Sequence, residues 1–99
     1  MKMLLLCNQG MSTSALVRNM YKFVEEGVTI EAHAITEYKD IIQHYDVVLL
    51  GPQIRYKLDE VKQEGEKYAI PVAVIDPAAY GMLDGKKVVA QAYSLVNKK

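Results

Sequence analysis

Three short runs contain no polar side chain: Met3–Leu6, Val47–Leu50 and Val72–Ile75. Each is too short for a buried helix, and each is apolar at successive positions rather than alternate ones. That pattern belongs to parallel strands covered on both faces. The stretches between them carry a different period. From Thr13 to Glu26 the residues Leu16, Met20, Phe23, Val24 and Gly27 recur at three- and four-residue steps, which predicts one buried helix face. Ser12 suits its N-cap and Gly27 its stop.

The remaining segments complete the alternation. Strands are predicted over Lys2–Cys7, Val28–Ile35, Val47–Leu50 and Pro71–Ile75. The second alternates polar and apolar residues, as expected of a strand at a sheet edge. Helices are predicted over about Glu37–His44, with Tyr38, Ile41 and Ile42 inward, and over Tyr56–Tyr68, with Leu58, Val61 and Gly65 inward. A last helix over Lys86–Asn97 packs Val88, Val89, Ala92, Leu95 and Val96, and Ala78–Gly85 forms a loop or a single helical turn. The reading is an α/β fold, βαβαβαβα, with helices on both faces of a four-stranded parallel sheet. Right-handed crossovers favour the flavodoxin-like strand order 2-1-3-4. In such sheets the ligand site lies beyond the carboxyl ends of the strands, beside the first strand, where Cys7 falls.

The 99 residues fit one domain, 1–99, without linker or repeat. Twelve basic and twelve acidic side chains cancel, so no overall field draws the chain to nucleic acid or an anionic membrane. The one tight basic cluster joins Lys86 and Lys87 with Lys98 and Lys99. Apolar runs fall far short of the roughly 20 residues that span a bilayer, and Lys2 with the leucines is too short for a signal segment. The expected location is therefore the cytoplasm. A single cysteine excludes an internal disulfide and a cysteine-based metal cluster. No metal and no cofactor are expected.

The chemistry sits in the first turn, Cys7-Asn8-Gln9-Gly10-Met11-Ser12-Thr13-Ser14. A loop between a strand and a helix gathers backbone N–H groups, and the helix start adds about half a positive charge. Such a turn binds phosphate and favours the thiolate of a nearby cysteine. Gly10 permits the tight turn, and Ser12, Thr13 and Ser14 offer hydroxyls to phosphate oxygens. Small tyrosine phosphatases and arsenate reductases place an arginine six residues after such a cysteine, where it clamps the phosphoryl group. Here that position is Thr13, and Arg18 lies further into the helix. A loop that holds phosphate through amides and hydroxyls alone suits a relay more than a hydrolase. A phosphatase-like enzyme and an anion-binding module with an inert cysteine remain the alternatives.

The same residues resemble the phosphocysteine loop of the lactose/cellobiose class of IIB components in the bacterial phosphotransferase system. Asp46–Ile54 resembles the third-strand segment of the cellobiose-type members. Val74-Ile75-Asp76, Tyr80-Gly81 and Asp84-Gly85 resemble their fourth-strand segment. The resemblance implies that Cys7 accepts a phosphoryl group from a phosphohistidine of a IIA protein. It then passes that group to a sugar delivered by the membrane component IIC. Residues 8–14 would hold the phosphate, and Met11, Gln53, Tyr56 and Tyr80 would line the partner-docking rim, with Arg55 beside them. The implied sugar is cellobiose or a related β-disaccharide. His33 and His44 are expected at the surface, away from that rim.

Overall fold

A computed structural model describes residues 1–8 and 13–96, with the side chain of Thr13 left out. In chain order the elements are β1 (Lys2–Cys7), α1 (Thr13–Met20), β2 (Thr29–Ala34), β3 (Val47–Leu50), α2 (Leu58–Glu66), β4 (Val72–Val74), α3 (Pro77–Gly81) and α4 (Gly85–Val96). The sheet is parallel with order β2-β1-β3-β4, as the crossover rule predicts. β1 lies between β2 and β3, with Met3 opposite both Ile30 and Val47, and Leu6 opposite both His33 and Leu50.

The all-apolar sequence of β1 is explained by two separate cores. Met3 and Leu5 pack on one face with Leu16, Met20, Val88, Val89 and Ala92, under α1 and α4. Leu4 and Leu6 pack on the other with Tyr38, Ile42, Ile54 and Val61, under α2 and the turns that precede it. A strand buried on both sides has no position for a polar residue before its end.

Two helical segments differ from expectation. α1 stops at Met20, because Lys22 and Phe23 bond to carbonyls three residues back and the chain tightens out of the α-helix. Phe23, expected inside, is exposed. The segment predicted as a helix over 37–44 is two 3₁₀ turns, Ile35–Asp40 and Ile42–His44, broken at Ile41 (φ −122°). Tyr38 and Ile42 are buried as expected. A third such turn, Pro52–Lys57, occupies the start of the predicted 56–68 helix.

Side chains cap both outer strands. The Tyr21 hydroxyl accepts from the Ile30 N–H (2.7 Å) and donates to the Ile30 carbonyl (3.1 Å) on β2. On β4, the Gln91 carboxamide donates to the Val74 carbonyl (2.8 Å) and accepts from the Asp76 N–H (3.2 Å). Each stands in for part of a missing strand and blunts an edge. At the opposite end of the sheet from Cys7, Met1 and Val96 line one groove with Gly27 and Tyr93.

Two tyrosines tie the flanking turns to carboxylates. Tyr38 donates to Glu60 (2.8 Å), and Tyr45 donates to Glu31 under the ammonium of Lys2. Burial, then the bonded carboxylate, raises the pKa of both phenols. The bonds from Tyr45 and Tyr38 lower Glu31 and Glu60. Unfolded tyrosines lose their protons near pH 10 while these two keep theirs, so unfolding releases protons in alkali. Stability should therefore fall as pH rises above about 10. A Tyr38→Phe/Tyr45→Phe variant should show a flatter decline in Tm, followed by circular dichroism.

Candidate functional site

β1 ends at the site because its ladder ends there. Leu6 is the last residue paired with β3, and its carbonyl accepts from the Gly51 N–H at 2.8 Å. Cys7 is paired only with Ala34 of β2. By alternation its side chain continues the Met3–Leu5 face. It is 1% exposed, and its thiol donates to the His33 carbonyl at 3.8 Å. Asn8 follows, exposed. The predicted phosphate-loop residues Gln9, Gly10, Met11 and Ser12 lie outside the described residues, as does the Thr13 side chain. α1 begins at Thr13, so its amino end follows Cys7 by six residues, and Ser14 is exposed on its first turn.

The carboxyl ends of β3 and β4 supply the neighbouring wall. Gln53 folds back over Gly51 and donates to the Tyr80 hydroxyl at 3.1 Å. A Cβ on Gly51 would sit 2.7 Å from the Gln53 Oε1, so glycine here makes room for that side chain. Gln53 and Tyr80, predicted separately as rim residues, are thus one bonded pair. Tyr56 is 72% exposed. Arg55 turns back to the Pro52 carbonyl (3.2 Å).

Asp76 is occupied structurally. Its Oδ1 accepts from the Ala78 N–H (3.1 Å), which caps α3, while Gln91 holds its backbone. This is the work of a cap, and α3 in turn carries Tyr80. Arg18 lines a groove with Met82 and Leu83 on the outer flank of α1. No group of three or more histidine, cysteine or acidic side chains among the described residues could hold a metal.

The two histidines are only partly as expected. His44 is exposed at the end of its turn. The His33 ring faces Glu37 (3.3 Å) and Glu31 (3.8 Å) at the surface. Its carbonyl, however, receives the Cys7 thiol, which places its backbone at the site. Sequence reasoning missed this contact, although pairing the two strands in parallel would have shown it. Gln91 was missed as well, and no local pattern marks it.

A parallel sheet of order β2-β1-β3-β4, with a cysteine ending the central strand and a helix starting six residues on, defines a small α/β protein of flavodoxin-like topology. Residues 2–91 match the family model described as "PTS system, Lactose/Cellobiose specific IIB subunit". The chain belongs to that family. It is 43% identical over 98 residues to the oligo-beta-mannoside-specific EIIB component of Bacillus subtilis, covering 96% of this chain and 95% of that one. It shares 36% identity and a TM-score of 0.80 with the solution structure of a cellobiose-specific IIB component from Borrelia burgdorferi, covering 100% of this chain and 94% of the other. It is also 32% identical over 92 residues to a lactose-specific EIICB component of Streptococcus mutans, matching 88% of this chain and 16% of that longer one. No helix among the described residues is long and apolar enough to cross a membrane.

Gly51→Ala should displace the Gln53 amide and break its bond to Tyr80. The expected loss is about 1 kcal/mol of stability. The Gln53 side-chain amide resonances should move toward those of a solvated glutamine in ¹⁵N-edited NMR spectra, with the rest of the spectrum retained.

Proposed function

We propose that this protein is a phosphoryl carrier of a sugar phosphotransferase system, with Cys7 as the group that is phosphorylated. The observation that carries the reading is the place of Cys7: the carboxyl end of the central strand, six residues before the amino end of α1, in a chain of the IIB family. In the first step the Cys7 sulfur attacks the phosphorus of a phosphohistidine on a IIA protein. The S–P bond forms as the P–N bond breaks, and the released imidazole takes up a proton. In the second step a sugar hydroxyl attacks the same phosphorus, the S–P bond breaks, and the hydroxyl proton is lost to solvent or a base. Both are in-line displacements, in which a protein contributes mainly positioning and electrostatics.

Residues 8–14 serve as the phosphate-holding loop, through N–H groups and the hydroxyls of Ser12, Thr13 and Ser14. Met11, Gln53, Tyr56 and Tyr80 form the docking rim. The thiol donates to the His33 carbonyl at 3.8 Å, a long contact for a weak donor. Residues 1–99 act as one domain, at the cytoplasmic face of the membrane, where a IIC component presents the sugar. A relative whose name joins IIC and IIB supports that association. Named specificities among relatives include oligo-β-mannoside, galactose, cellobiose and lactose; three of these four are β-linked sugars, which supports a β-linked disaccharide or short oligosaccharide. No metal or cofactor takes part.

The competing reading, an anion-binding module with an inert thiol, draws on the burial of Cys7. Phosphoryl labelling separates the two. Incubation with a phosphorylated IIA protein of this class should add the mass of one phosphoryl group to the native chain and none to Cys7→Ser. An unlabelled native chain, or equal labelling of both, would refute the carrier. Turnover of an aryl phosphate without partners would identify a hydrolase instead.

A further inference from the structure

A helix that offers its first N–H groups to a ligand cannot also be anchored through them. Those of α1, beginning at Thr13, have no partner within the helix and are the groups that face a bound phosphate in the carrier reading. α1 must be held from behind, and the fixings lie at its carboxyl end. It has eight residues, a span of about 12 Å, so a shift at one end reaches the other. Leu16 and Met20 hold its buried face in the core. Three further contacts fix where its carboxyl end stops. The Tyr21 hydroxyl bonds to both backbone groups of Ile30 on β2. Gly85, the first residue of α4, packs so closely that a Cβ would lie 2.6 Å from the Met20 nitrogen and 2.9 Å from the Asn19 carbonyl oxygen. The third contact is the Asn19 side chain, which donates to the Leu83 carbonyl in the turn between α3 and α4.

That turn is strained at one residue. The Leu83 N–H donates to the Tyr80 carbonyl (3.1 Å) and the Asp84 N–H to the Ala79 carbonyl (2.8 Å), the two bonds of a Schellman ending to α3. In such an ending the residue at the place of Leu83 adopts a left-handed backbone and is usually glycine. Here it is leucine with φ +52°, which its Cβ disfavours. Glycine would keep this shape unaided. Leucine keeps it with its carbonyl engaged twice, by the Asn19 amide and by the Gly85 N–H at 3.0 Å. The strained turn and the end of α1 therefore depend on each other through Asn19. The same joint ties α1 to α3, whose Tyr80 bonds Gln53 in the wall beside Cys7.

We propose that Asn19 is a positioning residue: through the left-handed turn at Leu83 it sets the direction of α1 and so aims the N–H groups at its amino end toward Cys7. The proposal rests on the carrier reading above. Two measurements on the full chain keep the two apart. Amide residual dipolar couplings read the orientation of α1 against β1 with no partner present. The rate of Cys7 phosphorylation at saturating phosphorylated IIA protein reads transfer, well below the Tm of every variant. In Asn19→Ala the couplings of α1 should depart from the native set while those of the four strands keep it, and the saturated rate should fall about tenfold. Alanine favours a helix, so the variant keeps its fold. Leu83→Gly alone should leave both readouts native. Added to Asn19→Ala it should restore both, since glycine holds the turn without the bond. Native couplings in Asn19→Ala would overturn the proposal, as would a native rate with α1 displaced. So would a double variant that stays displaced or slow. A native chain that takes up no phosphate would refute the carrier, and the couplings would still decide whether Asn19 directs α1.

Discussion

The position of β1 between β2 and β3 is the constraint on which everything else depends. A strand paired on both edges and covered on both faces cannot tolerate a polar residue until the sheet stops supporting it. That point is Cys7, where pairing to β3 has ended and pairing to β2 has one residue left. The chemistry is placed by running out of core. The same geometry fixes the strand end from both neighbours, with the Gly51 N–H on the Leu6 carbonyl and the His33 carbonyl on the buried Cys7 thiol.

Around that centre the structure uses side chains as substitutes for backbone. Tyr21 and Gln91 close the outer strands at Ile30 and at Val74–Asp76. Gln91 has a second effect, since the Asp76 it steadies caps α3, and α3 carries Tyr80 to its bond with Gln53. The wall beside Cys7 is therefore held from α4 through a relay of ordinary hydrogen bonds. Each is modest in net stability, but together they fix one arrangement.

Much of this was legible in the sequence because burial leaves a pattern. The runs Met3–Leu6 and Val47–Leu50 could only be doubly covered strands, and the parallel order followed from the handedness of their connections. What stayed hidden depends on partners distant in the chain. Phe23 continues a helical period, yet α1 stops at Met20 and Tyr21 turns to the edge of β2, which no local count can reveal. Ile35–Asp40 and Ile42–His44 have helical spacing, but each is too short to settle between α and 3₁₀ geometry without its packing. In the candidate site, Cys7 stood out by type and place. The His33 carbonyl did not, because a backbone acceptor carries no signature in residue identity.

The meeting of Met1 and Val96 in one groove has an architectural consequence. Both ends of the described chain lie at the amino end of the sheet, and Cys7 lies at the carboxyl end. A tether spliced onto either end would leave the Cys7 side of the molecule unobstructed. Met1 and Val96 on one side and Cys7 on the other thus occupy opposite poles of the sheet.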